Sequence, residues 1–252
     1  MSGRAKILSS ALVILTVLLA RTPVAGAEPT APAPIPLMID NAGNADPAKL
    51  LQSLSGVAPA TLKTTGRFTW NVGRDEMINP VGDLVATVGG GDLEARIARV
   101  QGVIDKWTVL RSLERTPRAD GLEMRLEPGR DLYHAGDKEI LMVEGLKQPY
   151  FTLLNIASDG TVNLLYPLDT AGRRDSPALP TGALFKLPFQ VTPPFGADHF
   201  VAIASAVAPV ELHGELKAID GKPEALVLPD LFDKYLNAAT TQIGTLGVLS
   251  AR

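Results

Sequence analysis

The segment 193–199 (PPFGADH) is the most distinctive group of residues that could do chemistry. Its adjacent prolines stiffen the chain, Gly196 allows a sharp turn, and Asp198 can accept hydrogen bonds from nearby backbone amides. These properties predict a rigid corner between two strands. The alternative is a ligand-binding lip, for which the candidate binding corner comprises Pro194, Phe195, Gly196, Asp198 and His199.

Ser205, His199 and Asp198 have the residue types of a nucleophile, a general base and an orienting acid. A catalytic triad depends on geometry, however, and neighbouring residues on a strand point to opposite faces. No glycine-flanked nucleophile elbow surrounds Ser205. The sequence therefore favours a protein without catalytic residues. A hydrolase or peptidase-related enzyme that uses Asp198 and His199 is the alternative.

Metal and cofactor sites lack their usual sequence signatures. His134, His199 and His213 form none of the short-spaced pairs that are typical of metal sites. The chain has no cysteine, which excludes disulfides, a thiolate nucleophile and thiolate metal ligands. The segment 88–92 (VGGGD) is not followed by the Lys-Ser or Lys-Thr of a phosphate loop, so it predicts a hinge before a helix. We expect no metal and no cofactor.

The N-terminus has the three parts of a secretory signal peptide, here over residues 1–27. Arg4 and Lys6 precede an apolar run at residues 7–20, and small residues at 25–27 offer a cleavage site. The run is shorter than the ~20 residues of a membrane-spanning helix. Cleavage near Ala27 predicts a periplasmic or secreted protein. The alternative is an uncleaved N-terminal anchor, and only this segment would then contact the membrane.

Composition limits the class of partner. Loss of Arg4, Lys6 and Arg21 lowers Lys+Arg from 24 to 21 against 27 Asp+Glu, so the mature charge is about −6. Nucleic acids are bound by clustered Lys and Arg, and no dense basic run is present, so nucleic acid is not expected as a partner. We expect another protein or another envelope component.

The first part of the mature chain predicts a linker and a small mixed segment. Residues 28–36 (EPTAPAPIP) predict an extended Ala/Pro-rich linker. Within the mixed α/β segment at residues 37–121, Asp46-Pro47 can begin a short helix, and residues 67–72 predict a strand. One amphipathic helix is predicted at about residues 92–113, from the helical spacing of Leu93, Ile97, Val100, Ile104, Trp107 and Leu110.

Residues 122–252 predict a β-sandwich-like module with a C-terminal helix at residues 229–236. Strands are predicted at residues 139–144, 150–156, 161–166, 183–191, 200–205 and 210–216. A tight turn at residues 158–160 joins two of them, and Pro188 makes another an edge or bulged strand. The expected fold class is mainly β, with a β-sandwich-like C-terminal domain preceded by a smaller α-containing segment.

Several motifs of this region occur in a recognisable order. They are Tyr133 with Gly136-Asp137, residues 150–156, Asp159-Gly160, residues 164–167, 193–198 and 201–205. Together they resemble an uncharacterised bacterial β module, the domain of unknown function 4384, over roughly residues 128–206. Such modules often accompany caspase-like peptidase domains, whose catalytic cysteine this chain lacks. The resemblance implies a fold and a context but no activity. Together with the signal peptide and the lack of a catalytic set, it predicts an exported, non-catalytic β-rich binding or accessory module of the bacterial envelope.

Overall fold

The computed structural model describes residues 32–115, 121–167 and 177–252, so the predicted signal peptide lies outside the described residues. The helices are α1 (Pro47–Gln52), α2 (Leu93–Arg115), α3 (Val210–Ala218) and α4 (Leu228–Tyr235), with a short 3-10 helix at Ala225–Val227. The strands are β1 (Ile35–Asp40), β2 (Val57–Pro59), β3 (Phe68–Asn71), β4 (Glu76–Ile78), β5 (Leu84–Thr87), β6 (Glu123–Glu127), β7 (Tyr133–His134), β8 (Lys138–Glu144), β9 (Tyr150–Ile156), β10 (Val162–Tyr166), β11 (Phe185–Gln190), β12 (Ala197–Ser205) and β13 (Gln242–Ala251).

The strands of the described residues form three sheets. Sheet A has the order β2-β1-β3-β4-β5, sheet B the order β10-β9-β12-β13-β7, and sheet C the order β11-β8-β6. In sheet B the central strand β12 is antiparallel to both neighbours, and Ile203 lies between Thr152 of β9 and Ile243 of β13. A backbone bridge between Ala86 and Gly196 brings the edge of sheet A to the start of β12.

Sheet B lies between two apolar layers because successive side chains of a strand point to opposite faces. Phe200 and Ala202 of β12 pack into the core that sheets B and C share. Val201 and Ile203 face the other way, into a core formed with helices α2, α3 and α4. Two sheets are thus stacked as a sandwich, but helices cover the second face of the central sheet.

Helix α2 contributes to two cores. Val100 and Ile104 in its first half pack against sheet A and helix α1. Val109 and Leu113 in its second half pack against sheet B and the C-terminal helices. The helix predicted at about residues 92–113 is confirmed, and residues Pro32–Arg252 form one compact unit.

The described residues are mixed α/β, with 36% strand and 23% helix, so the strand-rich character expected from the sequence is present, but helices contribute more than a mainly β class implies. The strand predicted at residues 210–216 is instead helix α3, because the alternation of apolar and polar residues there also fits a helix that buries Leu212 and Leu216. The linker predicted at residues 28–36 overlaps β1, since Ile35 is fully buried and pairs with Val57.

Several other predicted elements are confirmed. Asp46 caps α1, and its carboxylate accepts the Ala48 N–H at 2.9 Å. Gly160 has a φ of +87° in the turn between β9 and β10. The helix predicted at residues 229–236 is α4. The division of the chain into two domains near residue 121 stays a prediction. No helix in the described ranges is long and apolar enough to cross a membrane.

Candidate functional site

The candidate binding corner lies at the start of β12, where the backbone is tightly held. The Pro193-Pro194 peptide bond is cis, and Gly196 has a φ of +139°. A Cβ atom at Gly196 would lie 2.3 Å from the Val85 carbonyl oxygen, so a larger residue does not fit. The Gly196 N–H donates to the Ser250 carbonyl at 3.1 Å, and the Ser250 N–H donates back at 2.8 Å. Backbone contacts at the corner therefore join the edge of sheet A to the start of β12 in sheet B.

The five corner residues do not form one surface. Pro194 is exposed, and Phe195 is half-buried against the core between sheets B and C. Gly196 is buried by the backbone contacts just described. Asp198 and His199 are half-buried beside helix α2. The structure thus separates the exposed part of the corner from its two titratable residues.

Helix α2 brings a lysine to the buried side of the corner. The helix packs closely on the β9–β10 turn, since a Cβ atom at Gly102 would lie 2.1 Å from the Asp159 carbonyl oxygen. One turn further along α2, Lys106 is fully buried, and its Nζ donates to the Ala197 carbonyl. We call Lys106, Trp107, Ser158, Asp198 and His199 the junction cluster. Lys106 is not among the site residues predicted from the sequence, because its contact with Ala197 spans 91 residues.

Burial and opposite charge control the titration of the junction cluster. Burial raises the pKa of Asp198, and the charge of Lys106 and a hydrogen bond from the Ser158 backbone N–H lower it in part. Burial lowers the pKa of Lys106, while Asp198 and Asp159 act in the opposite direction. The Lys106 cation and the Asp198 carboxylate therefore compensate part of each other's desolvation cost.

His199 is poorly suited to be a general base. Burial, assisted by the Lys106 charge, lowers the pKa of His199 to about 3. Its ring packs edge-on against Trp107, with a centroid separation of 5.1 Å, and it also contacts Gly247. A base with this pKa binds a proton too weakly to accept one at neutral pH.

The residues of the hydrolase alternative do not come together. Ser205 lies six residues beyond His199 on β12, which corresponds to ~20 Å in an extended strand. The Ser205 hydroxyl donates to the Val207 carbonyl at 2.9 Å. Within the described ranges, no group of three His, Asp or Glu side chains could hold a metal ion. Of the other histidines, His134 is exposed and His213 shares a buried 2.7 Å hydrogen bond with Thr152.

The glycine-rich segment before α2 does not form an anion cradle. The Arg99 guanidinium donates to the carbonyls of Val88, Gly89 and Gly90, and the bond to Gly89 is 2.8 Å long. Asp92 caps the helix by accepting the Ala95 N–H at 2.9 Å. Carbonyl groups directed at an arginine are the opposite of the free amides that bind phosphate, and the hinge before α2 stays a prediction.

A separate concave surface lies on sheet C. The groove has a volume of about 580 Å³ and is lined by Glu127, Pro128, Lys138, Glu139, Ile140, Pro188, Phe189 and Gln190. Glu127, Ile140 and Pro188 are paired across the three strands, and all three are exposed. Of the groove residues, only Pro188 has a distinctive sequence signal, because the others look like ordinary strand residues.

Glu139, the neighbour of Ile140 on β8, is a buried carboxylate on the inner side of sheet C, opposite the exposed groove floor. It is 1% exposed, and neither of its oxygens has a hydrogen-bond partner among the described residues. The nearest cation is Arg130, whose Nη2 lies 3.7 Å from the Glu139 Oε1. The Arg130 Nη1 is bound to Asp137 at 2.7 Å. Buried carboxylates normally accept several hydrogen bonds, so Glu139 is exceptional in this protein.

Residues 132–208 match the model of a domain of unknown function, DUF4384. The match confirms the resemblance inferred from the motifs. It spans 77 of the 252 residues and contains strands β7 to β12. Glu139, Ile140 and the candidate binding corner lie within it, whereas Lys106 and Glu127 lie outside. The match makes no connection with caspase-like proteins, and no curated protein matches the chain.

Proposed function

We propose that this chain is an exported, non-catalytic binding module of the bacterial envelope that binds a partner protein at the groove of sheet C. The observation that carries this proposal is the groove itself. Ile140 is 36% exposed and lies between Glu127 and Pro188 on the outer face of the sheet. An apolar floor with charged residues at its rim is the arrangement that protein-binding surfaces use.

The groove has a suitable size for one or two side chains of a partner. Its volume of about 580 Å³ is that of an open surface depression, which suits side chains lying on the sheet better than an enclosed small ligand. Glu127 and Lys138 at its rim offer one charge of each sign to a partner's backbone or side chains. A rim of this kind orients a bound segment, while the apolar floor supplies affinity.

The face of sheet C suits a partner better than its free edge. The edge strand β11 contains Pro188, which has no N–H to donate to an added strand. Natural proteins use proline at such edges to prevent pairing with other chains. We therefore place the partner on the face of the sheet, and not along the edge of β11.

Two features support a non-catalytic role. The titratable residues of the junction cluster hold helix α2 against β12, and Ser205 is remote from His199. The resemblance to DUF4384 suggests a caspase-like protein as one partner to test directly. A periplasmic or secreted location, which the signal peptide predicts, would place the groove where envelope proteins can reach it.

A random linear peptide library displayed on phage tests the proposal. Selection against the purified chain is expected to enrich peptides that bind the wild type and the control variant Val81→Glu, since Val81 is 81% exposed and lies outside the groove. The variant Ile140→Glu places a charge on the apolar floor and should weaken binding about tenfold or more. Urea denaturation of each variant shows whether the fold is retained. Peptides that bind Ile140→Glu as well as wild type would contradict the proposal.

A further inference from the structure

We infer that the outer edge of strand β13 binds an extended segment of a partner protein, which adds to sheet B as a short further strand. This second site goes beyond the proposed function, because it lies in sheet B and not at the groove of sheet C. It is formed by the backbone groups of Thr245, Gly247 and Leu249 that point away from the rest of the sheet.

The pairing with β12 determines the direction of these groups. The Ser250 N–H and carbonyl both bond to the backbone of Gly196, immediately before β12. In an antiparallel pair, residues that exchange both hydrogen bonds with the partner strand alternate with residues that exchange none. The register of β12 and β13 has no irregularity. Residues two and four before Ser250 therefore bond to β12, whereas Leu249, Gly247 and Thr245 direct their N–H groups outward.

No strand covers this edge between residues 244 and 249 in the described part of the chain. Strand β7 pairs with β13 only at its last two residues, and Gly121 bridges Ile243 near its start. Thr245 and Gly247 are exposed. Because glycine has no side chain, the exposure of Gly247 is exposure of the backbone itself. A partner can therefore reach the outward groups.

Several other edges of the described sheets are protected against an added strand. In β10, the Val162 N–H and carbonyl bond to the Lys222 carbonyl and the Gly221 N–H. Strand β11 contains Pro188, and β6 carries three charged residues. Strand β13 (QIGTLGVLSA) has neither proline nor charge. Natural proteins use these devices to block strand addition, so their absence from β13 indicates an edge that accepts a strand.

The outward groups determine which kind of partner fits. Thr245 and Gly247 present N–H donors and carbonyl acceptors at the spacing of a strand. An extended backbone matches this pattern and would bond twice to each of the two residues. The bound segment would pair over about three or four residues, since β7 and Gly121 limit the open stretch at its two ends.

One side chain of the bound segment would also contact the protein. Residues directly opposite each other on neighbouring strands have their side chains on the same face. Gly247 is opposite His199, and a Cβ atom at Gly247 would lie 3.2 Å from the His199 Nε2. The His199 ring packs on Trp107, and both rings are half-buried. We therefore expect a large apolar or aromatic residue of the partner opposite Gly247.

Hydrogen exchange of the free protein, measured by NMR, tests the edge before a ligand is added. The amide hydrogens of Thr245 and Gly247 should exchange at least about 100-fold faster than those of Leu246 and Val248, which bond to β12. Equal protection of all four amides would show that the edge is already covered, and would overturn the inference.

Phage-displayed random linear peptides selected against the variant Ile140→Glu provide the probe, because this variant disables the groove. Enriched peptides should bind the wild type equally well and should protect the Thr245 and Gly247 amides from exchange. Thr245→Pro removes an outward N–H and should weaken their binding about tenfold or more. The matched control Thr245→Val keeps that N–H and nearly the same shape, so it should bind them like the wild type. Urea denaturation shows whether each variant is folded.

Modified peptides provide a second test, which uses the wild-type protein and does not depend on the fold of Thr245→Pro. Only every second amide of an added strand faces its neighbour. N-methylation at alternate positions of an enriched peptide should therefore weaken binding about tenfold, and N-methylation of the intervening positions should not. Equal effects at all positions, or peptides that leave the Thr245 and Gly247 amides unprotected, would overturn the inference.

The remaining outcomes separate this site from the groove and from self-association. If no peptide is enriched against Ile140→Glu, the β13 edge is not a binding site, and the proposed function at the groove still stands. Analytical ultracentrifugation tests for a second copy of the chain at the edge. A wild-type dimer that Thr245→Pro dissociates and Thr245→Val retains would overturn the choice of a different protein as partner.

Discussion

The junction cluster and the sheet C groove both bury charge, but they treat it differently. In the junction cluster, Lys106 donates to the Ala197 carbonyl and lies near Asp198, which in turn accepts the Ser158 N–H. Beneath the groove floor, on the inner side of β8, Glu139 is equally buried but makes no hydrogen bond within the described part of the chain. The paired charges hold helix α2 against β12, whereas the groove presents the exposed Ile140 between strands β6 and β11. The groove is therefore the better candidate for binding.

Of the changes that test this comparison, loss of Lys106 should lower the free energy of unfolding most. Lys106→Met removes the cation that faces Asp198 and leaves the Ala197 carbonyl without its donor. Breaking a buried pair in this way lowers the free energy of unfolding by about 3–5 kcal/mol. Urea denaturation measures the loss. The double variant Lys106→Met/Asp198→Asn should recover part of the lost stability, and failure to recover any would show that the two side chains are not energetically coupled.

Acidification should have the next largest effect, through two buried histidines. Burial lowers the pKa of His199 to about 3 and that of His213 to about 4, below the ordinary value of 6.5. The unfolded chain therefore binds more protons below about pH 6.5, and stability is lost as the pH falls from there toward 4. The raised pKa of Asp198 acts in the opposite direction, because the folded state takes up that proton first.

Between about pH 7 and pH 5 the free energy of unfolding should fall by a net amount on the order of 2–3 kcal/mol. Urea denaturation at several pH values measures it. The variant His199→Gln should flatten the profile, with His213→Gln as the matched comparison in a different core. A profile that His199→Gln leaves unchanged would mean that His199 titrates normally in the folded protein.

Loss of Arg130 should lower the free energy of unfolding least. Its side chain is 43% exposed, and exposed ion pairs contribute little to stability. Arg130→Ala should therefore lower the free energy of unfolding by only a small fraction of the Lys106→Met effect. The same urea titration compares the two variants. A loss as large as that of Lys106→Met would mean that Glu139 is firmly paired, and the contrast between the two regions would disappear.

The sequence was informative where local patterns decide the structure. The spacing of apolar residues predicted α2, and strand signals predicted β8 to β12. Strand β13 was missed because it contains Gly244 and Gly247, which look like turn residues. Both glycines permit close approach, since Cβ atoms there would lie 2.6 Å from the Leu122 carbonyl oxygen and 3.2 Å from the His199 ring.

The two sites depend on contacts between residues far apart in the chain, which limits prediction from one sequence. The types of Asp198 and His199 drew attention to the corner, but nothing local to Lys106 indicates that it reaches Ala197, 91 residues away. Glu139 likewise looks like the polar start of a strand. Its position on the inner side of β8 follows only from the register with β6 and β11.

Helix α2 has a consequence for how the molecule opens. Its 23 residues extend about 34 Å, and its two halves belong to different cores. One helix is common to both cores. Opening either core therefore displaces the whole of α2, and its amide hydrogens exchange together. Protection from hydrogen exchange should therefore rise and fall together along the length of α2, as in a single cooperative unit.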